Sequence, residues 1–284
     1  MKLFINWDIT SQLIEGWSTP NLYGLLFVSG LIIGYFVIKR IYRFENIEDD
    51  KLDKLVFYMV LATIIGARLG HVFFYGPYFD QVSSEGIVLE RGYFSNPLDI
   101  IKVWEGGLAS HGGAIAILIA LKIYSKKVIQ KPFMWILDRI VAPVAIAGAF
   151  IRLGNLVNHE IVGDITNVPW GFKFLHNYND LYNYGLENIP IRHPAQLYES
   201  ICCIFIFAIL LFLFWKKDAW KKPGLMFGTF LILLFSSRFF IEFVKLGQAS
   251  RDEYLFINTG QMLSIPFVLV GIYILWNTLG KYKS

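Results

Sequence analysis

The chain has 284 residues, of which 55% are hydrophobic and only 17% are charged. A soluble domain carries about a quarter of its residues charged, and the apolar residues here form blocks too long for the core elements of such a domain. The composition therefore excludes soluble, disordered and low-complexity classes and predicts an all-α, polytopic membrane protein. The net charge of +4 comes from short basic clusters between apolar blocks, so no nucleic-acid partner is expected.

The first twenty residues precede the first apolar block. They contain Asp8 and Glu15 and lack a basic segment leading into an apolar one, so no cleavable signal peptide is expected. The first membrane-spanning helix is therefore expected to act as the targeting signal.

Seven segments are candidate transmembrane helices, since a bilayer core of about 30 Å needs about 20 apolar residues. The third is short and is the weakest prediction. We expect the seven segments and their connections to form one integral membrane domain over residues 1–284. Cys202 and Cys203, adjacent in the fifth segment, are interpreted as apolar filler, because neither a disulfide nor a thiolate is favoured there. The predicted spans are residues 22–38, 55–79, 107–121, 132–151, 197–215, 223–244 and 254–276.

Basic residues are distributed unequally between the two sides of these spans. Of the 26 Lys and Arg, 15 lie after spans one, three, five and seven, eight lie on the other side, and three lie inside spans. Because basic residues are enriched on the cytoplasmic side, the N-terminus is predicted outside and the C-terminus inside. Two long connections on the outer side, residues 80–106 and 152–196, are rich in Tyr, Asn, Gly and Pro. We expect them to form a small extracytoplasmic cap.

Several charged side chains lie inside or beside the predicted spans. A charge in hydrocarbon costs about 2.5 to 10 kcal/mol or more, so each needs a partner or a function. Arg68 is either bonded to backbone carbonyls or part of a ligand site. His111 is either a helix-end residue or a base, and Gly112 beside it allows close approach of a backbone or a ligand. Arg238 and Glu242 are spaced i,i+4, so an intrahelical ion pair is the alternative to a binding role.

The predicted direction of each span places many polar side chains in the outer half of the membrane. Guanidinium groups form two-pronged bonds to phosphate and keep their charge when desolvated, so this set predicts binding of a phospholipid headgroup. A lipid or anion transporter remains an alternative, although we find no internal repeat. A non-enzymatic scaffold leaves the buried arginines unexplained. The converging residues are Tyr23, His111, Arg152, Gln196, Glu199, Arg238 and Gln261.

The segment Gly148–Gly163, GAFIRLGNLVNHEIVG, resembles the signature of the bacterial prolipoprotein diacylglyceryl transferase family. It departs from the usual pattern at Ile151 and His159, where glycines commonly stand, and residues 167–189 align with no part of that pattern. Neither departure removes a functional side chain. Further blocks agree in order and spacing: Tyr23-Gly24, Ala67–Gly70, Glu105–Gly107, Ser110–Gly113, His193–Glu199, Arg238–Phe243 and Gly260–Pro266.

The resemblance implies transfer of the diacylglyceryl group from phosphatidylglycerol to the lipobox cysteine thiol of a preprolipoprotein. The products are a thioether and glycerol 1-phosphate. The implied location is the bacterial cytoplasmic (inner) membrane, with the active site toward the outer leaflet. The implied partners are phosphatidylglycerol, signal peptides with a lipobox cysteine, and membrane lipids, with no metal or organic cofactor.

The resemblance also implies site residues. Arg152 and Arg238 are expected to hold the phosphate, and His111 is expected to activate the thiol. The residues expected to bind substrate are Tyr23, Arg68, Gly112, Asn155, Asn158, Glu160, Gly163, Gln196, Tyr198, Glu199 and Glu242.

Overall fold

The structure is a computed structural model, and it describes residues 4–14, 16–17, 19–83, 88–103, 106–247 and 257–281. Contacts divide the chain into two compact units. The larger unit comprises Met1–Ile41 and Leu137–Ser284, and the smaller unit comprises Tyr42–Ile136.

Helices dominate the described residues, which confirms the all-α membrane fold class. A π-helical turn, Ser125–Ile129, continues α3, and a 3-10 turn, Glu242–Val244, continues α7. The helices are α1 (Leu22–Phe44), α2 (Asp49–Phe74), α3 (Ser110–Tyr124), α4 (Phe133–Val157), α5 (Tyr178–Tyr184), α6 (Ala195–Lys216), α7 (Leu225–Ile241) and α8 (Thr259–Lys281).

Within the described residues, six helices are long and apolar enough to cross a membrane. They are α1, α2, α4, α6, α8 and α7 with its 3-10 extension. The third predicted span corresponds to α3, which has 15 residues and so a length of about 22 Å. The number of seven spans therefore stays a prediction.

Several helix ends differ from the predicted boundaries. Helix α2 begins at Asp49 rather than residue 55, because Asp49 and Asp50 in its first turn favour a helix N-terminus. It ends at Phe74 rather than residue 79, just before Gly76 and Pro77. Helix α3 begins at Ser110 rather than 107, because Gly106 and Gly107 have φ of +90° and +70°.

The fourth and seventh spans also change. Helix α4 continues past the predicted end at residue 151 to Val157, so Arg152 and Asn155 belong to the helix and not to the following connection. Helix α8 begins at Thr259 and runs to Lys281. The predicted start of the seventh span at residue 254 lies outside the described residues.

The smaller unit is built on close packing of α2 against α3. A Cβ on Gly112 would lie 2.6 Å from Gly70 Cα, and a Cβ on Gly70 would lie 2.7 Å from Gly112 Cα. Small residues let helix backbones approach closely in a membrane. Between the two helices, β2 (Gln81–Val82) and β3 (Val88–Glu90) form an antiparallel pair, and a 3-10 turn follows over Pro97–Ile101.

In the larger unit, the connection between α4 and α6 folds with the N-terminal segment. Strand β1 (Ile5–Trp7) pairs in parallel with β4 (Phe172–Phe174), and β5 (Ile191–Arg192) pairs antiparallel to β4. The Trp7 Nε1–H donates to the backbone oxygen of Leu156 at 3.0 Å. The sheet and this hydrogen bond thus hold the connection between α4 and α6 against the end of α4.

Asp138 in α4 fixes the beginning of α7. Its carboxylate accepts hydrogen bonds from the backbone N–H groups of Gly224 at 2.7 Å and Phe227 at 2.8 Å, which are unpaired donors at a helix N-terminus. Its neighbour Arg139 is fully buried and donates to the Trp220 carbonyl at 3.1 Å. These contacts set the position of α7 and therefore of Arg238 near its other end.

Candidate active site

Arg152 is held at the end of α4 by an ion pair with Glu199 of α6. The Nε–Oε2 distance is 2.8 Å, and the side chains are 24% and 8% exposed. Nη1 donates to Asn155 Oδ1 at 3.3 Å, one helical turn further on. Within the described residues Nη2 has no hydrogen-bond partner. One edge of the guanidinium is therefore anchored while a donor remains available.

Lys245 joins two buried carboxylates and was not found from the sequence. Its Nζ lies 3.2 Å from Glu199 Oε1 and 3.7 Å from Glu242 Oε2, and its side chain is 2% exposed. A buried ammonium is stable only when paired. The only signal in the sequence was its position three residues after Glu242, beyond the predicted end of the sixth span.

The predicted alternative of an Arg238–Glu242 ion pair is wrong for the described residues. Glu242 begins the 3-10 turn after α7, and its carboxylate faces Lys245 instead. The Arg238 side chain is half-buried and has no ion-pair or hydrogen-bond partner in the described part of the chain. Its charge is therefore left for a group outside this set of residues.

Three amide side chains fix the loop around Glu160, just after α4. Asn155 Nδ2 donates to Oε2 at 3.2 Å, and Asn158 Nδ2 donates to Oε1 at 3.1 Å. The buried Gln196 donates from Nε2 to the Glu160 backbone oxygen at 2.5 Å. Glu160 itself stays exposed, so its carboxylate is oriented yet accessible.

Two glycines of the signature are required by close contacts. A Cβ on Gly163 would lie 2.6 Å from the backbone oxygens of both His193 and Val244, so only glycine fits where these segments meet. A Cβ on Gly154 would lie 2.8 Å from Cδ2 of Tyr23. Tyr23 of α1 therefore packs directly on the signature helix.

Gly260 and Asn258 complete the surroundings of Glu242. A Cβ on Gly260 would lie 2.5 Å from Glu242 Oε1, so the start of α8 abuts this carboxylate. Asn258 Nδ2 donates to the Glu242 backbone oxygen at 3.2 Å, and its Oδ1 accepts from the Gln261 N–H at 2.9 Å. Gln261 is therefore buried in the first turn of α8, where Asn258 caps its backbone N–H.

Tyr198 belongs to a neighbouring aromatic group. Its hydroxyl accepts from Trp170 Nε1 at 2.8 Å and lies 3.2 Å from His193 Nδ1. Burial lowers the pKa of His193. Tyr198 is therefore placed by the segment that precedes α6, and within the described residues it forms no hydrogen bond with Arg152.

His159, the additional histidine of the signature, is structural. It is buried with φ of +56°, Nε2 lies 2.8 Å from the Ile9 oxygen, and Nδ1 accepts from the His176 N–H at 3.4 Å. Burial lowers the pKa of His159, which favours the neutral ring with its proton on Nε2. Both nitrogens are occupied, so His159 does not compete with His111 for the role of base.

Arg68, in the smaller unit, has the placement of a structural arginine. Its guanidinium donates to the carbonyls of Ile100 at 2.9 Å, Gly106 at 2.6 Å and Asp99, and it stacks over Tyr93 with 5.0 Å to the ring centroid. All three nitrogens are used by backbone. Arg68 therefore shapes the loop before α3, and this placement favours the carbonyl-bonded alternative over headgroup binding.

His111 is exposed in the first turn of α3. Among the described residues its imidazole has no hydrogen-bond partner. The adjacent Gly112 allows the close approach of the α2 backbone, one of the two roles expected for it. This packing explains the glycine without a ligand. Glu105 of the same block lies outside the described residues.

The larger unit thus brings together most of the predicted site residues through direct contacts. One chain of contacts runs from Glu160 through Asn155 and Arg152 to Glu199, Lys245 and Glu242. Such a set of anchored cations and oriented carboxylates beside apolar helices is suited to bind an anionic headgroup.

The chain matches one family of known proteins along nearly its whole length. The family model for prolipoprotein diacylglyceryl transferase matches residues 14–277. A protein of Porphyromonas gingivalis named phosphatidylglycerol–prolipoprotein diacylglyceryl transferase is 42% identical over 283 residues, covering 97% of this chain and 95% of the relative. A Tolumonas auensis protein of the same name is 40% identical, covering 94% of each chain, and one of Chloroherpeton thalassium is 39% identical, covering 97% and 95%.

The signature resemblance is confirmed over nearly the whole chain. This chain belongs to the prolipoprotein diacylglyceryl transferase family.

Proposed function

We propose that this integral membrane protein transfers the diacylglyceryl group of phosphatidylglycerol to the lipobox cysteine of preprolipoproteins, the first step of lipoprotein maturation. Family membership and the names of the relatives support this activity and give the transporter alternative no support. The observation that carries it is the guanidinium of Arg152, anchored by Glu199 through Nε while Nη2 is unpaired within the described residues.

The reaction is a displacement at a glycerol carbon. The thiolate sulfur of the client forms a bond to the phosphate-bearing carbon of the diacylglyceryl group. The bond between that carbon and the phosphate oxygen breaks. The thiol proton goes to a base, and the leaving group departs as glycerol 1-phosphate with an additional negative charge. Catalysis therefore requires stabilisation of the charge that grows on the phosphate.

Two arginines of the site stabilise this growing negative charge. Arg152 and Arg238 contact the phosphate oxygens, since a guanidinium keeps its charge in a desolvated site. Glu199 orients Arg152, and Lys245 holds Glu199 and Glu242 in place. Glu160, oriented by Asn155 and Asn158, accepts hydrogen bonds from the headgroup glycerol.

The proposed location is the bacterial inner membrane with the site toward the outer leaflet. The basic residues predict this orientation. We expect cysteines placed at Lys126 and Lys217, both exposed, to be protected from a membrane-impermeant thiol reagent in intact cells, and a cysteine at Asn179 to react. The background is a chain without Cys202 and Cys203, and permeabilised cells give full labelling as a control. The opposite labelling pattern would show that the predicted orientation is wrong.

His111 is proposed as the base that takes the thiol proton. An unperturbed cysteine has a pKa of about 8.5, so at pH ~7 most of the thiol needs a base and at pH ~9 most does not. We expect His111→Gln to slow the reaction strongly at pH ~7 and much less at pH ~9, each measured relative to the unsubstituted protein. His71→Gln, a change at a histidine of the smaller unit that has no role in the proposed site, is the matched control. An equal loss at both pH values would reject the base role and leave the transferase activity standing.

The experiment that tests the activity uses purified protein, phosphatidylglycerol vesicles and a synthetic lipobox peptide. We expect the peptide mass to increase by one diacylglyceryl group, with no change for a peptide that has serine in place of cysteine. An unmodified cysteine peptide, with the protein folded and the lipid present, would contradict the proposal.

A further inference from the structure

A polar pocket adjoins the candidate site on the side of the outer connection. Its volume is about 800 Å³, within the range of roughly 300–1,000 Å³ that small-ligand pockets occupy. It shares Asn158 and Glu160 with the site, and its far side is formed by α5. The pocket is therefore continuous with the carboxylate that the proposed function assigns to substrate.

Asparagine and tyrosine make up much of this far side. Asn179, Asn183, Tyr178 and Tyr184 line the pocket and are exposed, and within the described residues neither asparagine amide has a hydrogen-bond partner. These four residues lie in the segment 167–189, to which the family signature assigned nothing. Tyrosine supplies rigid contact area and asparagine supplies adaptable hydrogen bonds, a combination that antibody binding loops also use to bind protein surfaces.

The frame of the pocket is fixed. Arg192 binds Asp180 through two hydrogen bonds of 2.7 and 2.6 Å, and both side chains are buried. Asn177 accepts from the Asp180 N–H at 2.9 Å and donates to the His159 backbone oxygen at 2.7 Å. A pocket that is already ordered loses little entropy when a ligand binds.

The charges of the pocket do not favour a phosphate. Arg192 is the only Lys or Arg among the described residues that line the pocket, and its guanidinium is neutralised by Asp180. A leaving glycerol phosphate is therefore a poor occupant, while an uncharged chain of alternating donors and acceptors, such as a peptide backbone, fits the amides and phenols.

We propose that this pocket binds the backbone of the client peptide immediately after the lipobox cysteine. The inference rests on the proposed function: the residues before the cysteine are apolar and stay in the membrane, so the residues after it leave on the outer side, next to Glu160. Amide and aromatic side chains in the pocket contact the peptide backbone rather than particular client side chains. The pocket can therefore bind clients of varied sequence.

The test compares two peptides with three variants. One peptide continues for six residues after the cysteine, and the other ends at the cysteine as a carboxamide. We expect Asn179→Ala with Asn183→Ala to raise KM for the long peptide by at least about 5- to 10-fold, the lower end of what loss of two hydrogen bonds predicts, with kcat unchanged. Asn183→Trp, which replaces the amide by a bulky indole in the wall of the pocket, gives the same selective effect. The short peptide has the same KM with all of these proteins.

Asn188→Ala is the matched control, because Asn188 is exposed and lies close along the chain but does not line the pocket. Equal KM values for the long peptide in every variant would overturn the pocket assignment, and so would equal losses for both peptides. Failure of the proposed function is distinguishable, because then the unsubstituted protein modifies neither peptide.

Discussion

Arg152→Lys is expected to lower the rate of transfer by about 10²–10³ while the protein remains folded. Loss of one donor that stabilises transition-state charge typically costs about 2.7–4 kcal/mol, which corresponds to this factor. Arg152 uses Nε to hold Glu199 at 2.8 Å and leaves Nη2 for the phosphate. A lysine ammonium is a single point of charge and cannot bind Glu199 and the phosphate at the same time. Initial rates at equal amounts of folded protein measure the effect.

The control for this substitution is Arg43→Lys. Arg43 forms an exposed ion pair with Asp49 at 3.4 Å, and exposed pairs of this kind contribute little. Arg139 is unsuitable as a control because it is fully buried and donates to the Trp220 carbonyl. A near-normal rate for Arg152→Lys would mean that charge alone is required there.

Lys245→Met is expected to destabilise the protein by about 3–5 kcal/mol, the usual effect of removing one partner from a buried ion pair. The change leaves Glu242 without its cation and Glu199 with Arg152 alone. Both carboxylates are less than a tenth exposed, so water cannot replace the lost ammonium. Thermal unfolding in detergent measures the effect.

Lys245→Arg retains the charge and is the matched control. Adding Glu242→Gln to Lys245→Met removes one unpaired charge and is expected to recover part of the lost stability. If Lys245→Met unfolds at the same temperature as the unsubstituted protein, the ammonium is not required to hold these carboxylates.

The fold class and much of the site could be predicted because both depend on local sequence. Apolar blocks identified six helices that can span a membrane, and the signature segment placed Arg152, Asn155 and Glu160 close together on one helix end and its following loop. Residues one helical turn apart must be neighbours, so their spacing alone predicts the contact.

The missed features depend on contacts between distant segments. Lys245 becomes buried only because α6 brings Glu199 to it, and nothing in its own neighbourhood indicates burial. Strand β1 has three residues, too few for a period to be recognised, and it exists because β4 lies beside it. The carbonyls that surround Arg68 come from a loop more than 30 residues away.

The measurement that tests the account most directly follows both halves of phosphatidylglycerol in one reaction. The lipid carries one radiolabel in the diacylglyceryl group and another in the headgroup glycerol, and the purified protein acts on a lipobox peptide. The account predicts that the first label appears in the peptide and the second in water-soluble glycerol phosphate, in a ratio of one to one. Both labels in the peptide, or headgroup release without peptide labelling, would contradict displacement at the glycerol carbon with phosphate as the leaving group.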